Sequence, residues 1–201
     1  MRFWFKVMNS KITKNMIRDR MKLLREELDF CLYRTWCNAI MEKCISLEEW
    51  NQSRKVHIYV SSINNEVDTL GLILDMLDEG KAVVVPKCDH KLHSLHSIRI
   101  SSLEELLPSR YGIMEPEYNP EREVMSGELE LIIVPLLAFD RTGARLGFGG
   151  GYYDSLLSQC NCPKIGLGYF FQEVDSVPVE PHDQKLDIII TEKEIIRIDY
   201  E

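Results

Sequence analysis

Apolar residues recur every three or four positions between about residues 13 and 44, which is the period of an amphipathic α-helix. The pattern predicts one long first helix, with Thr13 placed to cap its amino end. Lys14 and Arg18 are four positions apart, so we expect both side chains on one face of this helix. The positions that carry the period are Ile17, Met21, Leu24, Leu28, Cys31, Thr35 and Ala39.

Later apolar segments are short and rich in β-branched residues, which is typical of strands. The continuous run at 82–86 predicts a strand covered on both faces. Between the strands, the pattern predicts a helix that begins at Asp68 or Thr69 and ends before Gly80, and another at 151–159. The predicted strands are 56–61, 82–86, 97–100, 129–135, 165–169, 186–191 and 195–198.

This alternation of helices and strands predicts an α/β fold: a three-layer single domain in which a mostly parallel sheet has helices on both faces. Ligands of such sheets bind beyond the carboxyl ends of the strands, so we expect a site near Ser61, Pro86 and the loop after Pro135. The length of 201 residues suffices for one sizeable domain. We assign it residues 11–201 and treat residues 1–10 as an N-terminal extension.

The composition is that of an ordinary globular protein. Hydrophobic residues make up 45% and charged residues 28%, which excludes a disordered or collagen-like chain. No apolar run approaches the roughly 18 residues of a membrane span, and the opening residues lack a signal-peptide pattern. The six cysteines do not have zinc-site spacing and are expected to be reduced thiols. We therefore expect a cytoplasmic protein with no membrane partner.

The charge is distributed unevenly along the chain. Residues 1–25 contain eight basic residues and one acidic residue, a net +7, whereas the total is −8, so the remainder carries −15. Such asymmetry indicates a local site for an anionic partner, either nucleic acid or a small phosphate or polycarboxylate compound. A solvated helix face is the simpler explanation, and the charges alone favour it.

A glycine-rich segment at 139–154 joins a predicted core strand to a helix. Its glycines let backbone N–H groups approach an anion, the helix start adds partial positive charge, and Arg145 adds a forked cation. Asp154 in the first helical turn is placed to hold a cation beside phosphates. Neither the P-loop nor the dinucleotide pattern is present, because no Gly-Lys-Ser/Thr follows and Tyr152 occupies the third glycine position. Without further information, this glycine pattern is as consistent with a tight structural turn as with a phosphate-binding loop.

At this segment the chain resembles the 5-formyltetrahydrofolate cyclo-ligases, also called 5,10-methenyltetrahydrofolate synthetases. The specific motif is R-L-G-F-G-G-G-Y-Y-D at 145–154, with A-F-D at 138–140 before it and V-P-V-E-P-H-D at 177–183 after it. The resemblance covers nearly the whole chain after the first ten residues. Weaker matches in family order are Lys14 with Arg18 and the segments 65–69, 85–87, 111–113 and 191–193.

The resemblance implies ATP- and Mg²⁺-dependent cyclisation of 5-formyltetrahydrofolate to 5,10-methenyltetrahydrofolate with release of ADP and phosphate. The formyl oxygen would be phosphorylated and N10 would then attack the formyl carbon. The implied catalytic residues are Arg145 and Tyr152, and the implied magnesium ligands are Asp154 and Asp183. The implied ATP-binding residues are Lys14, Arg18, Arg145, Leu146, Gly147, Phe148, Gly149, Gly150, Gly151, Tyr152 and Tyr153. The implied folate contacts are Ser61, Glu66, Tyr111 and Tyr152.

Two positions depart from the resemblance. Leu136 stands where family members usually have glycine, which questions a close backbone approach there, and Gly150 stands where some members have lysine. A non-catalytic relative that binds nucleotide or folate is a second hypothesis, which Leu136 alone favours and which the intact magnesium and phosphate residues disfavour. Nucleic-acid binding through the basic helix is a third, which the acidic remainder and the lack of interleaved aromatic and basic residues disfavour. We expect a monomer with small-molecule partners and no nucleic acid.

Several residues also have simpler explanations. His90, His93 and His96 resemble a metal cluster, but they lie outside the family motifs and we do not assign them a metal. Without the resemblance, the other candidates would be ordinary structural residues. Glu66 would be a helix-start charge, Tyr111 loop packing, Asp183 a turn residue, and Lys14 and Arg18 solvated helix residues.

Overall fold

The computed structural model describes residues 13–199, so the predicted extension at 1–10 lies outside the described residues. The helices in this range are α1 (Lys14–Glu26), α2 (Phe30–Ile45), α3 (Glu48–Gln52), α4 (Leu70–Asp78) and α5 (Tyr152–Leu157). The strands are β1 (Lys55–Ile58), β2 (Ala82–Asp89), β3 (Ser94–Ile100), β4 (Leu106–Pro108), β5 (Met114–Pro116), β6 (Leu131–Pro135), β7 (Ala138–Phe139), β8 (Arg145–Leu146), β9 (Lys164–Leu167), β10 (Ile188–Ile190) and β11 (Ile195–Arg197).

Seven strands form the main sheet in the order β11-β10-β9-β6-β1-β2-β3. The five inner strands are parallel, and the two edge strands are antiparallel to their neighbours. The predicted α/β fold with a mostly parallel sheet is therefore confirmed. After β2 the chain returns to the other side of β1, so strand order reverses between β1 and β6. Ligand clefts in open parallel sheets lie at such a reversal.

Apolar side chains on both faces of the sheet bury it between two helical layers. Ile40 of α2 and Leu72 and Ile73 of α4 belong to the core cluster on one face. Leu156 and Leu157 of α5 belong to the cluster on the other face. Within the described residues, no helix is long and apolar enough to cross a membrane.

The first predicted helix is two helices, so its predicted length was wrong. Thr13 does cap α1, since its hydroxyl accepts from the N–H of Met16 at 3.3 Å. The side chain of Asp29, however, accepts from the N–H groups of Cys31 and Leu32 at 2.9 and 3.2 Å and starts α2. The three-to-four-residue period of apolar residues continues across the break, but the Asp29 cap determines where the first helix ends and the second begins.

The polar stretch after residue 86 is a hairpin rather than an irregular connection. Strand β2 continues to Asp89 and pairs with β3 in antiparallel register. Glu115 of β5 holds the polar end of β2, because its carboxylate accepts from Lys87 Nζ at 2.9 Å and from the N–H of Cys88 at 3.2 Å. A contact from a later strand thus stabilises residues whose own pattern is that of a loop.

His57 is a buried polar residue at the centre of the sheet. It lies on β1 opposite Val84 and Ile132 and is fully buried. Neither ring nitrogen has a hydrogen-bond partner among the described residues. Its ring meets the ring of Tyr153 edge-on, with centroids 5.9 Å apart. Burial lowers the pKa of His57 to about 3, so the folded chain holds this residue neutral.

We predict that His57→Leu reduces the fall in folding stability at acid pH, which is the acid limb of the stability profile. Below pH 6.5 the unfolded chain protonates this histidine, whereas the folded chain does so only near pH 3, so stability falls as pH drops through that window. The substitution removes this loss and two unpaired nitrogens, and should stabilise the fold by about 1 kcal/mol at neutral pH. Urea unfolding from pH 7 to pH 4 measures both effects.

An unchanged acid limb in His57→Leu would contradict the prediction.

Candidate active site

A cleft of about 790 Å³ opens at the carboxyl edge of the sheet, beside the point where strand order reverses. Pro135 at the end of β6 and Tyr59 just after β1 contribute to its floor. Its walls come from α1, the loop after β1, the glycine loop (residues 147–151) and the segment 180–183. This is the edge at which the sequence predicts a site.

The glycine loop is held at its start by a short β-ribbon. Strands β7 and β8 pair Phe139 with Arg145, and the buried Asp140 closes the turn between them by accepting from the N–H of Thr142 at 2.8 Å. The loop then enters α5. Gly149 and Gly151 have φ of +107° and +69°, a left-handed backbone that glycine adopts without strain.

Arg18 braces the glycine loop from α1. Its Nε donates to the carbonyl of Gly147 at 2.9 Å, and Asn15 accepts from its Nη1 at 2.7 Å. A Cβ at Gly149 would lie 3.2 Å from the guanidinium carbon of Arg18, so this position is also packed closely. The contact brings together two residues that the resemblance implies bind ATP.

Arg145 is a buried cation fixed by its partners. It is 8% exposed, donates to Asp154 Oδ1 at 3.0 Å, and also donates to the carbonyl of Gln184. The N–H of Gln184 donates to the same Asp154 oxygen at 3.0 Å. Burial lowers the pKa of Arg145, and the neighbouring carboxylate of Asp154 opposes that effect. The guanidinium therefore occupies one position at the cleft floor.

Lys14 is anchored by two acidic residues across the cleft. Its Nζ lies 2.7 Å from Asp183 Oδ2 and 2.9 Å from Glu180 Oε2. Burial alone would lower the pKa of Lys14, but these hydrogen bonds outweigh it and raise that pKa. Burial raises the pKa of Asp183, but the hydrogen bond from Lys14 lowers it, and the net pKa shift is downward. Asp183 is therefore held as a carboxylate.

Glu180, His182 and Asp183 bring one possible metal-ligand atom each within 4.8 Å of one another. Among residues 13–199 this is the only such group of three. Asp154, the other predicted magnesium ligand, lines the same cleft but is not part of this group. Carboxylate oxygens are the ligands that magnesium prefers, so the acidic pair in this group fits that ion.

The loop after β1 forms the opposite wall. Glu66 lines the cleft, and its Oε2 accepts from the N–H of Ser62 at 3.3 Å. Burial raises the pKa of Glu66, and the charge of Arg25 partly opposes that effect. Ser61, also a predicted folate contact, instead donates to Asp68 Oδ1 at 3.1 Å, while its neighbour Ser62 lines the cleft. The side chain of Tyr111 lies outside the described part of the structure.

Tyr152 meets two histidines from the β2–β3 hairpin. Its hydroxyl lies 3.1 Å from His90 Nδ1, and its ring centroid lies 6.0 Å from that of His93. His96 points elsewhere, with Nδ1 2.7 Å from Glu123 Oε1. The three histidines that resemble a cluster in the sequence are thus divided between two environments.

Leu136 packs in the core. It is 3% exposed and belongs to the cluster beneath α5, whereas its neighbour Pro135 lines the cleft. Space for its side chain comes from Gly166 and Gly168, where an added Cβ would lie 2.8 and 2.7 Å from the leucine methyl carbons. The leucine therefore adds no side chain to the cleft.

Sequence reasoning missed Glu180, His90, Lys22 and Ser62, all of which line the cleft. Glu180 stands inside the matched V-P-V-E-P-H-D segment, and Lys22 continues the four-residue spacing of Lys14 and Arg18, so both left a signal. His90 left none, because only the hairpin brings it to Tyr152.

Comparisons with known proteins agree on one family. The model of the 5-formyltetrahydrofolate cyclo-ligase family matches residues 10–192. A probable 5-formyltetrahydrofolate cyclo-ligase of Schizosaccharomyces pombe is 34% identical over 79% of this chain and 85% of its own length. The Mus musculus 5-formyltetrahydrofolate cyclo-ligase is 32% identical over 76% of this chain and 80% of its own. The solved Aquifex aeolicus 5,10-methenyltetrahydrofolate synthetase has a TM-score of 0.81 at 32% identity and 94% coverage of both chains.

Gly149→Ala tests whether the glycine loop binds nucleotide. Alanine is strained at the φ of +107° found here, and its Cβ would lie 3.2 Å from the guanidinium carbon of Arg18. The glycine loop should therefore shift away from Arg18. We expect a stability loss of about 1–2 kcal/mol. If the wild type binds MgATP, its Tm should rise with MgATP and that of Gly149→Ala should not.

Gly80→Ala is the matched control, because Gly80 has φ +74° but a Cβ added there would have no neighbour within 4 Å, and Gly80 is not among the cleft residues. It should lose stability yet keep the response to MgATP. A full response in Gly149→Ala would contradict the role of the loop.

Proposed function

The chain belongs to the 5-formyltetrahydrofolate cyclo-ligase family, and on this basis we propose that it converts 5-formyltetrahydrofolate to 5,10-methenyltetrahydrofolate in a reaction that needs ATP and magnesium. One observation carries the proposal. A glycine loop braced by Arg18 and a buried Arg145 face Glu66 across a single cleft. A phosphate donor and a pterin can therefore lie side by side within it.

The ATP side consists of fixed positive charge and open backbone. Arg145 and Lys14 are each held by carboxylates, so they need little reorganisation to meet phosphate oxygens. The left-handed glycines leave the loop without side chains that would keep phosphates at a distance. These features support binding of the triphosphate between α1 and the glycine loop.

Asp183, with Glu180 beside it, and Asp154 in the same cleft would hold the magnesium ion. When bound, the ion would neutralise charge that develops on the transferring phosphate. Lys14 already partners Asp183 and Arg145 already partners Asp154, so each carboxylate has a cation beside it.

The chemistry requires activation of a poor leaving group. The formyl oxygen attacks the γ-phosphorus and ADP departs, which converts that oxygen into a phosphate ester. N10 then attacks the formyl carbon, phosphate leaves with the oxygen, and N10 loses its proton. Both steps depend on alignment of the reacting atoms and on neutralisation of charge. Arg145 supplies the fixed positive charge at the cleft floor.

The folate side consists of Glu66, Ser62 and Tyr152. The Glu66 carboxylate can accept N–H groups of the reduced pterin, since the N–H of Ser62 already orients one of its oxygens. Tyr152, placed by His90, offers an aromatic ring beside the glycine loop. The roles of Ser61 and Tyr111 as folate contacts stay predictions.

The alternative of a non-catalytic relative depended on Leu136, whose side chain packs in the core. That departure therefore gives no reason to prefer binding without turnover. The monomeric state and the cytoplasmic location stay predictions, and one relative, from Arabidopsis thaliana, is named as mitochondrial.

The decisive experiment is a turnover assay of the purified protein. With 5-formyltetrahydrofolate and MgATP, near-ultraviolet absorbance should rise as the methenyl product forms. Omitting ATP, or chelating magnesium, should abolish the rise. Nucleotide binding without any rise would instead favour the non-catalytic relative.

Arg145→Ala and Asp154→Ala should each lower kcat/KM by at least about a hundredfold, because each removes fixed charge at the transferring phosphate. Circular dichroism should report a retained fold. Arg141→Ala is the control, since Arg141 is 53% exposed and pairs with Glu173 and Glu194 on the surface. Wild-type turnover in either site variant would contradict the assignment.

A further inference from the structure

Arg25 is a buried arginine at the end of the first helix. The buried positions of α1 are Ile17, Met21 and Arg25, so the inward-facing row ends in a cation rather than an apolar residue. Arg25 is 1% exposed, and within residues 13–199 its Nε has no hydrogen-bond partner. A guanidinium buried in this way is costly unless a negative charge lies near it.

Arg25 holds the loop that carries Glu66. Its Nη2 donates to the carbonyl of Ile63 at 3.2 Å, and Asn65 Nδ2 donates back to the Arg25 carbonyl at 2.8 Å. Asn64 and Asn65 both have positive φ, of 49° and 46°, a backbone that needs support in residues other than glycine. The contacts from α1 supply that support directly before Glu66.

The same side chain also reaches the glycine loop. Its guanidinium carbon lies 6.0 Å from the ring centroid of Phe148, over the face of that ring. Arg25 is not among the residues that line the cleft. It therefore binds the 61–66 loop and lies close to the glycine loop, on the side of both that faces away from the cleft, and it does not line the cleft itself.

We propose that Arg25 is a positioning residue for the folate site, which fixes the 61–66 loop through its contacts with Ile63 and Asn65 and places a buried positive charge behind that loop. The proposal rests on the proposed function, because it assigns the pterin to Glu66. Arg25 acts through Glu66 and the loop backbone rather than on the reacting atoms.

The charges around Glu66 are consistent with this role. Ionisable groups that face it are Arg25 from α1, Tyr59 after β1 and Tyr153 from α5. Of these, Arg25 alone is positively charged, and burial raises the pKa of both tyrosines so that they stay neutral. Burial raises the pKa of Glu66 and Arg25 opposes this, so removing Arg25 should favour the protonated carboxyl, which loses acceptor capacity.

The test compares Arg25→Met and Arg25→Lys in the turnover assay. In Arg25→Met, KM for 5-formyltetrahydrofolate should rise about tenfold to a hundredfold, as expected for a lost charged hydrogen-bond acceptor, while KM for MgATP changes by less than about threefold. The acid limb of kcat/KM for the folate should move to higher pH. Arg25→Lys keeps the positive charge, so the acid limb of its kcat/KM for the folate should lie at the same pH as in the wild type.

Two further variants separate positioning from general destabilisation. Arg20→Met makes the same change at an exposed residue of α1 and should alter neither KM. Glu66→Gln should lack the acid limb that belongs to Glu66, and adding Arg25→Met to it should produce no further shift. If Arg25→Met does not fold, the test rests on Arg25→Lys. A shift of its acid limb of kcat/KM for the folate, despite the retained charge, would overturn the proposal.

The proposal would also be overturned if Arg25→Met lowered only the Tm and left KM for the folate and its pH profile unchanged. Absence of wild-type turnover is a different result and refutes the proposed function. In that case, calorimetric titration of 5-formyltetrahydrofolate into wild type and Arg25→Met still tests Arg25, because equal affinities at pH 6 and pH 8 would overturn its role.

Discussion

The site depends on the pairing of cations with carboxylates at one edge of the sheet. Arg145 is buried and pairs with Asp154, whereas the partly buried Lys14 pairs with Asp183. An unpaired charge at the buried position of Arg145 would be strongly destabilising. Pairing fixes these side chains before any ligand arrives. The cleft at this edge is thus already ordered, and under the proposed function what a ligand adds is charge rather than order.

Helix α1 connects the two halves of the cleft. Lys14 reaches the 180–183 segment, Arg18 braces the glycine loop, and Arg25 supports the loop before Glu66. These positions are four and seven residues apart, so one face of one helix contacts all three. Lys14, Arg18 and Arg25 are therefore used within the molecule, and Arg25 is buried rather than part of an exposed basic surface.

The sequence predicted the features that local pattern controls. Short β-branched runs such as 131–135 are strands, and the glycine loop enters a helix beside a cleft. The helix break at Asp29 was missed because apolar period alone does not report a capping side chain. The β2–β3 hairpin and the burial of Arg25 were missed because they depend on Glu115 and on the 61–66 loop, which are distant along the chain.

Leu136 shows how neighbouring strands share a fixed volume. The leucine fills space left open by Gly166 and Gly168. A methyl group at Gly168 would lie 2.7 Å from the leucine, and one at Gly166 would lie 2.8 Å from it and even closer to Leu186. Leucine at 136 and a larger residue at either glycine are therefore coupled by packing, a case of epistasis, and at Gly166 the coupling includes Leu186 as well. Glycine at position 136 would leave a void in this chain, so side-chain volume can be redistributed here only through coupled substitutions.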